Sequence, residues 1–221
     1  MKYLVYCTLV SSLTVFFFHD ILNTVRAIKN KEIEKKPFYN KLSETFTSKK
    51  QSGDIFLLGD SILFAFPSNE LSNCKLVNYS IPGETSKLLL DRLDTLPFTT
   101  GAQIFIMVGV NDIGRGVPIE NTYQNIRRIS EKLTTLGTTV TVSKVIRTSY
   151  LVRDNDAISN LNKLLEQLIN IKNVKVIDFN VALTEKFGFP SQYTSDGLHL
   201  TPEAYKVLKA VLIDSASSKC S

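Results

Sequence analysis

Asp54-Ile55-Phe56-Leu57-Leu58-Gly59-Asp60-Ser61 is the stretch on which the fold turns. Four successive apolar residues suit a strand buried on both faces, and the glycine after them ends it. Similar apolar runs recur at 75–79, 103–108, 138–146 and 174–177. Between them apolar residues return at helical spacing. Segment 85–96 places Leu88, Leu89 and Leu93 on one face, and 118–136 aligns Ile119, Tyr123, Ile126, Ile129, Leu133 and Leu136. Segment 156–171 repeats the pattern through Ile158, Leu161, Leu165, Leu168 and Ile169, and Thr201 is the expected N-cap of a last helix. Strands alternating with helices in this way predict an α/β fold: a five-stranded parallel sheet with helices on both faces, in three layers, αβα.

Charge narrows the function classes. The net charge of +5 over 221 residues suggests an acidic partner until it is located. Residues 1–52 hold nine Lys/Arg against four Asp/Glu, and the remainder holds seventeen of each. The body at 53–216 therefore has no basic surplus for nucleic acid, and none is expected as a partner.

The N-terminus reads differently. From Tyr3 to Phe18 no residue is charged, a length slightly short of the ~20 residues of a membrane span. It is long for a signal-peptide core, and small residues suited to cleavage are lacking. Residues 1–20 are thus expected as a membrane anchor or signal segment, with 21–52 as a basic, helical or loosely ordered spacer. A short N-terminal anchor favours a membrane-anchored or exported body, although Arg26, Lys29, Lys31, Lys35 and Lys36 pull the other way by the positive-inside tendency. Cys7, Cys74 and Cys220 show no metal-ligand spacing. They are expected as unpaired thiols, with a Cys74–Cys220 bond open to an exported protein.

Ligand sites of open α/β sheets lie beyond the carboxyl ends of the strands. The residues found there are Gly59-Asp60-Ser61, then Ser80-Ile81-Pro82-Gly83-Glu84-Thr85, then Gly109-Val110-Asn111-Asp112. Before the last helix stands Asp196-Gly197-Leu198-His199. Each alone has an ordinary explanation as a turn or a helix cap. Together they supply a hydroxyl nucleophile (Ser61), an imidazole base (His199) and a carboxylate three residues upstream to orient it (Asp196). The backbone N–H groups of Ser61 and Gly83 and the side chain of Asn111 add up to an oxyanion hole. His199 is the one imidazole available to the body, since His19 ends the apolar N-terminal stretch. Arg115 and Arg147 near strand ends are candidates to meet an anionic substrate, with solvation at the surface the favoured reading.

These four blocks resemble those of the SGNH, or GDSL-like, hydrolases, over about residues 53–213. The text around Gly83 and Asn111 is similar to the branch with platelet-activating-factor acetylhydrolase-like proteins and bacterial carbohydrate or sialate O-acetylesterases. The resemblance implies a flavodoxin-like fold and a serine esterase. By the same resemblance it is expected to act on acetyl or other short acyl esters of a carbohydrate or lipid, through an acyl-serine intermediate and without metal or organic cofactor. One departure stands out: Ile62-Leu63-Phe64-Ala65-Phe66-Pro67 comes after the serine where members often carry Ile-Thr and a small turn. These bulky groups either line the acyl pocket or pack the core. Two rivals keep the same fold: an acyltransferase using the same three residues, and a non-catalytic flavodoxin-like binding domain.

Overall fold

The computed structural model describes residues 37–48, 53–67, 70–150, 153–183, 190 and 192–216. Six strands occur among them: β1 (Ile55–Gly59), β2 (Glu70–Leu71), β3 (Cys74–Asn78), β4 (Gln103–Met107), β5 (Thr139–Ser143) and β6 (Val174–Ile177). They form one sheet in the order β2-β3-β1-β4-β5-β6. All neighbours from β3 to β6 run parallel, so the five expected strands are present. The additional β2 pairs antiparallel with β3 at the edge and, at two residues, is too short to show a sequence period. The parallel order is flavodoxin-like, and the chain reverses direction across the sheet between β1 and β4.

Eight helices flank the sheet in the described residues: α1 (Pro37–Ser48), α2 (Ser61–Phe64), α3 (Ser86–Arg92), α4 (Val110–Gly114), α5 (Ile119–Thr135), α6 (Asn155–Leu165), α7 (Asn180–Leu183) and α8 (Pro202–Ser215). Successive strand side chains point to opposite faces. Phe56, Leu58, Ile104 and Ile106 therefore meet Leu89 of α3, Ile126 and Leu133 of α5 and Leu161 of α6. Ile55, Leu57, Phe105 and Met107 meet Ile62 and Leu63 of α2, Leu183 of α7 and Leu208 of α8. Both faces are apolar because both are covered.

Three expectations from sequence change with the fold. The run at 138–146 is a strand only over Thr139–Ser143. Beyond it the Asn162 side chain accepts from Val145 N at 2.7 Å and donates to Val145 O at 2.8 Å, taking the groups that a further ladder would use. Ile169, placed on the apolar stripe of 156–171, is 62% exposed. The helix tightens there to a 3₁₀ turn over Glu166–Asn170, and the change in residues per turn rotates Ile169 outward while Leu168 stays buried. Cys74 is not a free thiol: it is held in a disulfide whose partner lies outside the described residues.

Part of the segment expected as a spacer contributes to the core. In α1, Tyr39 and Phe46 are buried against the sheet. Tyr39 donates its hydroxyl to Glu84 Oε1 at 3.1 Å. Glu84 is fully buried and meets Arg92 through Nε–Oε1 (2.5 Å) and Nη2–Oε2 (2.7 Å). Removing one partner of such a buried pair generally costs about 3–5 kcal/mol, because the other charge is left uncompensated. The expected anchor at 1–20 lies outside the described residues. Among those described, no helix is long and apolar enough to cross a membrane.

Candidate active site

Ser61 is the first residue of α2, directly beyond the carboxyl end of β1. The exit is tight because Gly59 has no side chain: a Cβ there would lie 2.1 Å from the Met107 carbonyl of β4. Asp60 caps α2 by accepting from Ile62 N at 3.0 Å. As the first helical residue, Ser61 has no carbonyl one turn earlier for its own N–H, which stays available to a ligand.

Gly83 sits in the turn that closes with Glu84 N donating to Ile81 O (3.1 Å). Its φ of +80° suits the glycine position of a Pro-Gly turn, whose own N–H the turn does not use. Asn111 is the second residue of α4, beyond β4, and donates one Nδ2 hydrogen to the Glu84 carbonyl at 3.1 Å. A side-chain amide has a second hydrogen to give. The neighbouring Asp112 ties these two loops together, accepting from Ser86 N (3.0 Å) and Ser86 Oγ (2.6 Å).

His199 arrives from the far end of the chain. Tyr205 of α8 donates its hydroxyl to the Ile62 carbonyl at 2.7 Å, seating that helix beside α2. The loop before it is anchored where Ser149 N and Tyr150 N donate to Gly197 O (2.9 and 3.2 Å). His199 Nε2 then lies 3.0 Å from Ser61 Oγ, and Nδ1 lies 2.6 Å from Asp196 Oδ2. An ionised carboxylate only accepts, so the proton sits on Nδ1 and Nε2 is left to receive from the serine hydroxyl. Asp196 Oδ1 also accepts from Leu198 N (2.8 Å) and His199 N (2.7 Å). Desolvation opposes ionisation of Asp196, but the His199 ring and these N–H groups together outweigh it and hold its pKa well below the usual carboxylate range.

The structure thus joins Ser61, His199 and Asp196 directly, and ties Asn111 to the turn of Gly83 and Glu84, which is itself held to the end of β1 where Ile81 N donates to Gly59 O at 2.8 Å. Of the bulky residues after Ser61, Ile62, Leu63 and Phe66 pack the core. Phe64 is 41% exposed and meets Phe38 edge-on, with ring centroids 6.4 Å apart. Arg115, read from sequence as a solvated cation, is half-buried and donates to the Gly83 carbonyl at 2.6 Å. Arg147 is half-buried as well, and its backbone N–H donates to Asn180 Oδ1 at 2.7 Å. Sequence reasoning missed Glu84, Arg92 and Asp112 as supports of the loops. The one signal was Glu84 and Asp112 standing inside the motif blocks.

Asp60 carries a pH dependence of its own. Burial raises its pKa to about 7, against the lowering effect of the Ile62 N–H bond. A carboxyl whose folded pKa exceeds its unfolded value near 3.8 favours the folded state when protonated. Its contribution is therefore lost as pH rises from about 4 to about 7. Asn keeps the capping oxygen without the charge. Asp60→Asn is expected to raise Tm at pH 8, on the order of 5 °C, with the difference vanishing near pH 4. Scanning calorimetry of both proteins at the two pH values checks it; equal Tm at pH 8 would overturn it.

A flavodoxin-like sheet with serine, imidazole and carboxylate in line at its carboxyl edge defines a class of hydrolases. The model of the GDSL-like lipase/acylhydrolase family matches residues 57–207, and the chain belongs to that family. A solved structure described as a platelet activating factor from Streptococcus pneumonia is 25% identical, with a TM-score of 0.76 over 87% of this chain and 97% of that one. An acetyl xylan esterase from Geobacillus stearothermophilus, 18% identical, shares the fold at a TM-score of 0.60 over 74% of this chain and 94% of its own. Among curated proteins, N-acylneuraminate cytidylyltransferases of Streptococcus agalactiae are 26% identical over 181 residues, 81% of this chain. The chain spans 42% of the length of those relatives.

Proposed function

We propose that the protein is a serine esterase that removes acetyl or other short acyl groups from a carbohydrate or lipid through an acyl-serine intermediate. The observation that carries this is the unbroken line from Ser61 Oγ through His199 to Asp196, at 3.0 and 2.6 Å. Ser61 Oγ attacks the ester carbonyl as its proton passes to His199 Nε2. The oxyanion forms against the Ser61 and Gly83 N–H groups and the free Asn111 N–H. His199 then returns the proton to the leaving alkoxide oxygen, and the alcohol departs. Water, losing a proton to His199, attacks the acyl-serine, and collapse releases the acid and restores the hydroxyl.

The disulfide at Cys74 supports an exported location, since such bonds persist in oxidising compartments. Asn111→Ala is expected to lower kcat by about 10²–10³, the usual cost of one oxyanion donor. Steady-state kinetics on p-nitrophenyl acetate check it, and an unchanged kcat would remove Asn111 from the hole. The reaction itself is tested by p-nitrophenyl esters of increasing chain length beside an O-acetylated sugar, with products analysed. Free acid with a preference for short chains is expected. Acylated sugar in place of free acid would make the protein a transferase, and inertness toward every ester would end the proposal.

A further inference from the structure

The end of α4 brings two cations to the same rim. Arg115, its C-cap, reaches the Gly83 carbonyl at 2.6 Å, so its guanidinium lies against the turn that presents the Gly83 N–H. Arg153 comes from the segment after β5. A Cβ on Gly114 would stand 2.0 Å from Arg153 Nη1 and 2.1 Å from Cζ, so the guanidinium rests on the bare backbone of that glycine. Arg153 Cζ lies 5.8 Å from the centre of the Tyr150 ring. Tyr150 N in turn donates to Gly197 O, in the loop that carries Asp196 and His199.

These charges are not balanced in the way the other buried arginine is. Arg92 is matched by Glu84. Among the described residues, neither Arg115 nor Arg153 forms an ion pair. Arg115 Nη1 and Arg153 Nε are buried and find no acceptor among the described residues; Arg92 Nη1 shares that condition, but its charge is neutralised. Burial lowers the pKa of both rim arginines; buried Asp112 opposes this at Arg115 more strongly than the charge of Arg153 adds to it, but both Asp112 oxygens already accept from Ser86. Asp60 acts on both from below, yet it is buried, and its Oδ1 is taken by Ile62 N. Arg115 also forms the wall of a groove of about 480 Å³ between α3 and α5, whose lining includes Lys87, Asn121, Gln124 and Arg128 and no carboxylate. The lining does not include Ser61 or His199; Arg115 belongs both to this lining and, through its bond to the Gly83 carbonyl, to the turn after β3.

We propose that Arg115 and Arg153 form an anion-recognition subsite beside the reacting serine, which selects esters carrying a carboxylate or phosphate group. This rests on the esterase reading above. Two half-desolvated guanidiniums within each other's field gain from an anion that no described side chain supplies. The hydrogen-bonding groove next to them suits a polar, hydroxylated body attached to that anion.

The test uses three acetates of one shape: 3-acetoxybenzoate, 3-acetoxyphenyl phosphate and the uncharged 3-acetoxybenzamide. Wild-type protein is expected to favour one or both anions over the amide by at least about tenfold in kcat/KM, mainly through KM, and rising salt should shrink the margin. Which anion leads tells a carboxylate from a phosphate ligand. In Arg153→Gln the ratio of anionic to neutral kcat/KM should fall toward one. Gly114→Ala, which pushes the guanidinium off its seat, should lower the ratio in the same direction. A purely structural role for Arg153 would lower all three rates together and leave the ratio standing, and that result would overturn the subsite. So would a wild type that hydrolyses the amide as well as both anions. Failure to hydrolyse any of the three, with no labelling of Ser61 by a fluorophosphonate, would instead remove the esterase reading and the subsite with it.

Discussion

Replacing Ser61 by Ala should lower kcat by about 10⁶-fold, the scale measured when the nucleophile of a serine hydrolase is deleted. The Ser61 side chain is half-buried, and its partner is the His199 ring at 3.0 Å. Its loss removes the attacking atom while leaving α2, capped by Asp60, with its fold-supporting contacts. Melting temperature and circular dichroism should therefore match the wild type. His199→Ala should cost a similar factor, and the double variant little more than either single one, because the two side chains perform one step between them. Covalent labelling by a fluorophosphonate supplies the direct check: wild type should take up one equivalent on Ser61, and the Ala variant none. A variant that still turns over an acetyl ester at near wild-type rate would mean that another group attacks the carbonyl.

Asp196→Asn should also be severe, with kcat falling by about 10⁴ as in other serine triads. Asp196 Oδ2 fixes the proton of His199 on Nδ1, and Oδ1 holds the backbone N–H groups of Leu198 and His199. Asn can keep the second task with its carbonyl oxygen. What it then offers the ring is an N–H, which stabilises the tautomer with the proton on Nε2. That nitrogen can no longer receive from Ser61. The loop should stay in place while the chemistry stops. Kinetics and a crystal structure of the variant separate the two effects: an unmoved His199 with kcat within tenfold of wild type would show that the carboxylate is not needed to set the tautomer.

The larger effects were readable from residues close in sequence. Short apolar runs revealed the five parallel strands, because burial on both faces demands nonpolar residues at every position. Ser61, Gly83 and Asn111 stand just past strand ends, and Asp196 and His199 just before the last helix. Those are the places where an open sheet exposes N–H groups and loops. Less visible was where elements stop and what supports the loops. The end of β5 is set by the Asn162 amide, which occupies both backbone groups of Val145 from a helix that begins 10 residues later. The basic segment before the sheet looked like a spacer because its apolar residues are few, yet Tyr39 reaches Glu84, 45 residues away.

Composition and local pattern were enough to decide the α/β class and to single out, in chain order, the blocks whose serine, imidazole and carboxylate the fold brings together. Hydrophobic periodicity and turn chemistry act over a few residues, and those are written side by side in the chain. Only the folded chain decided that Ser61 and His199, 138 residues apart, stand 3.0 Å from each other, or that Arg115 and Arg153 share a rim. Burial of a charge and the distance between two loops depend on which surfaces the sheet brings together, and no single stretch of sequence contains that information.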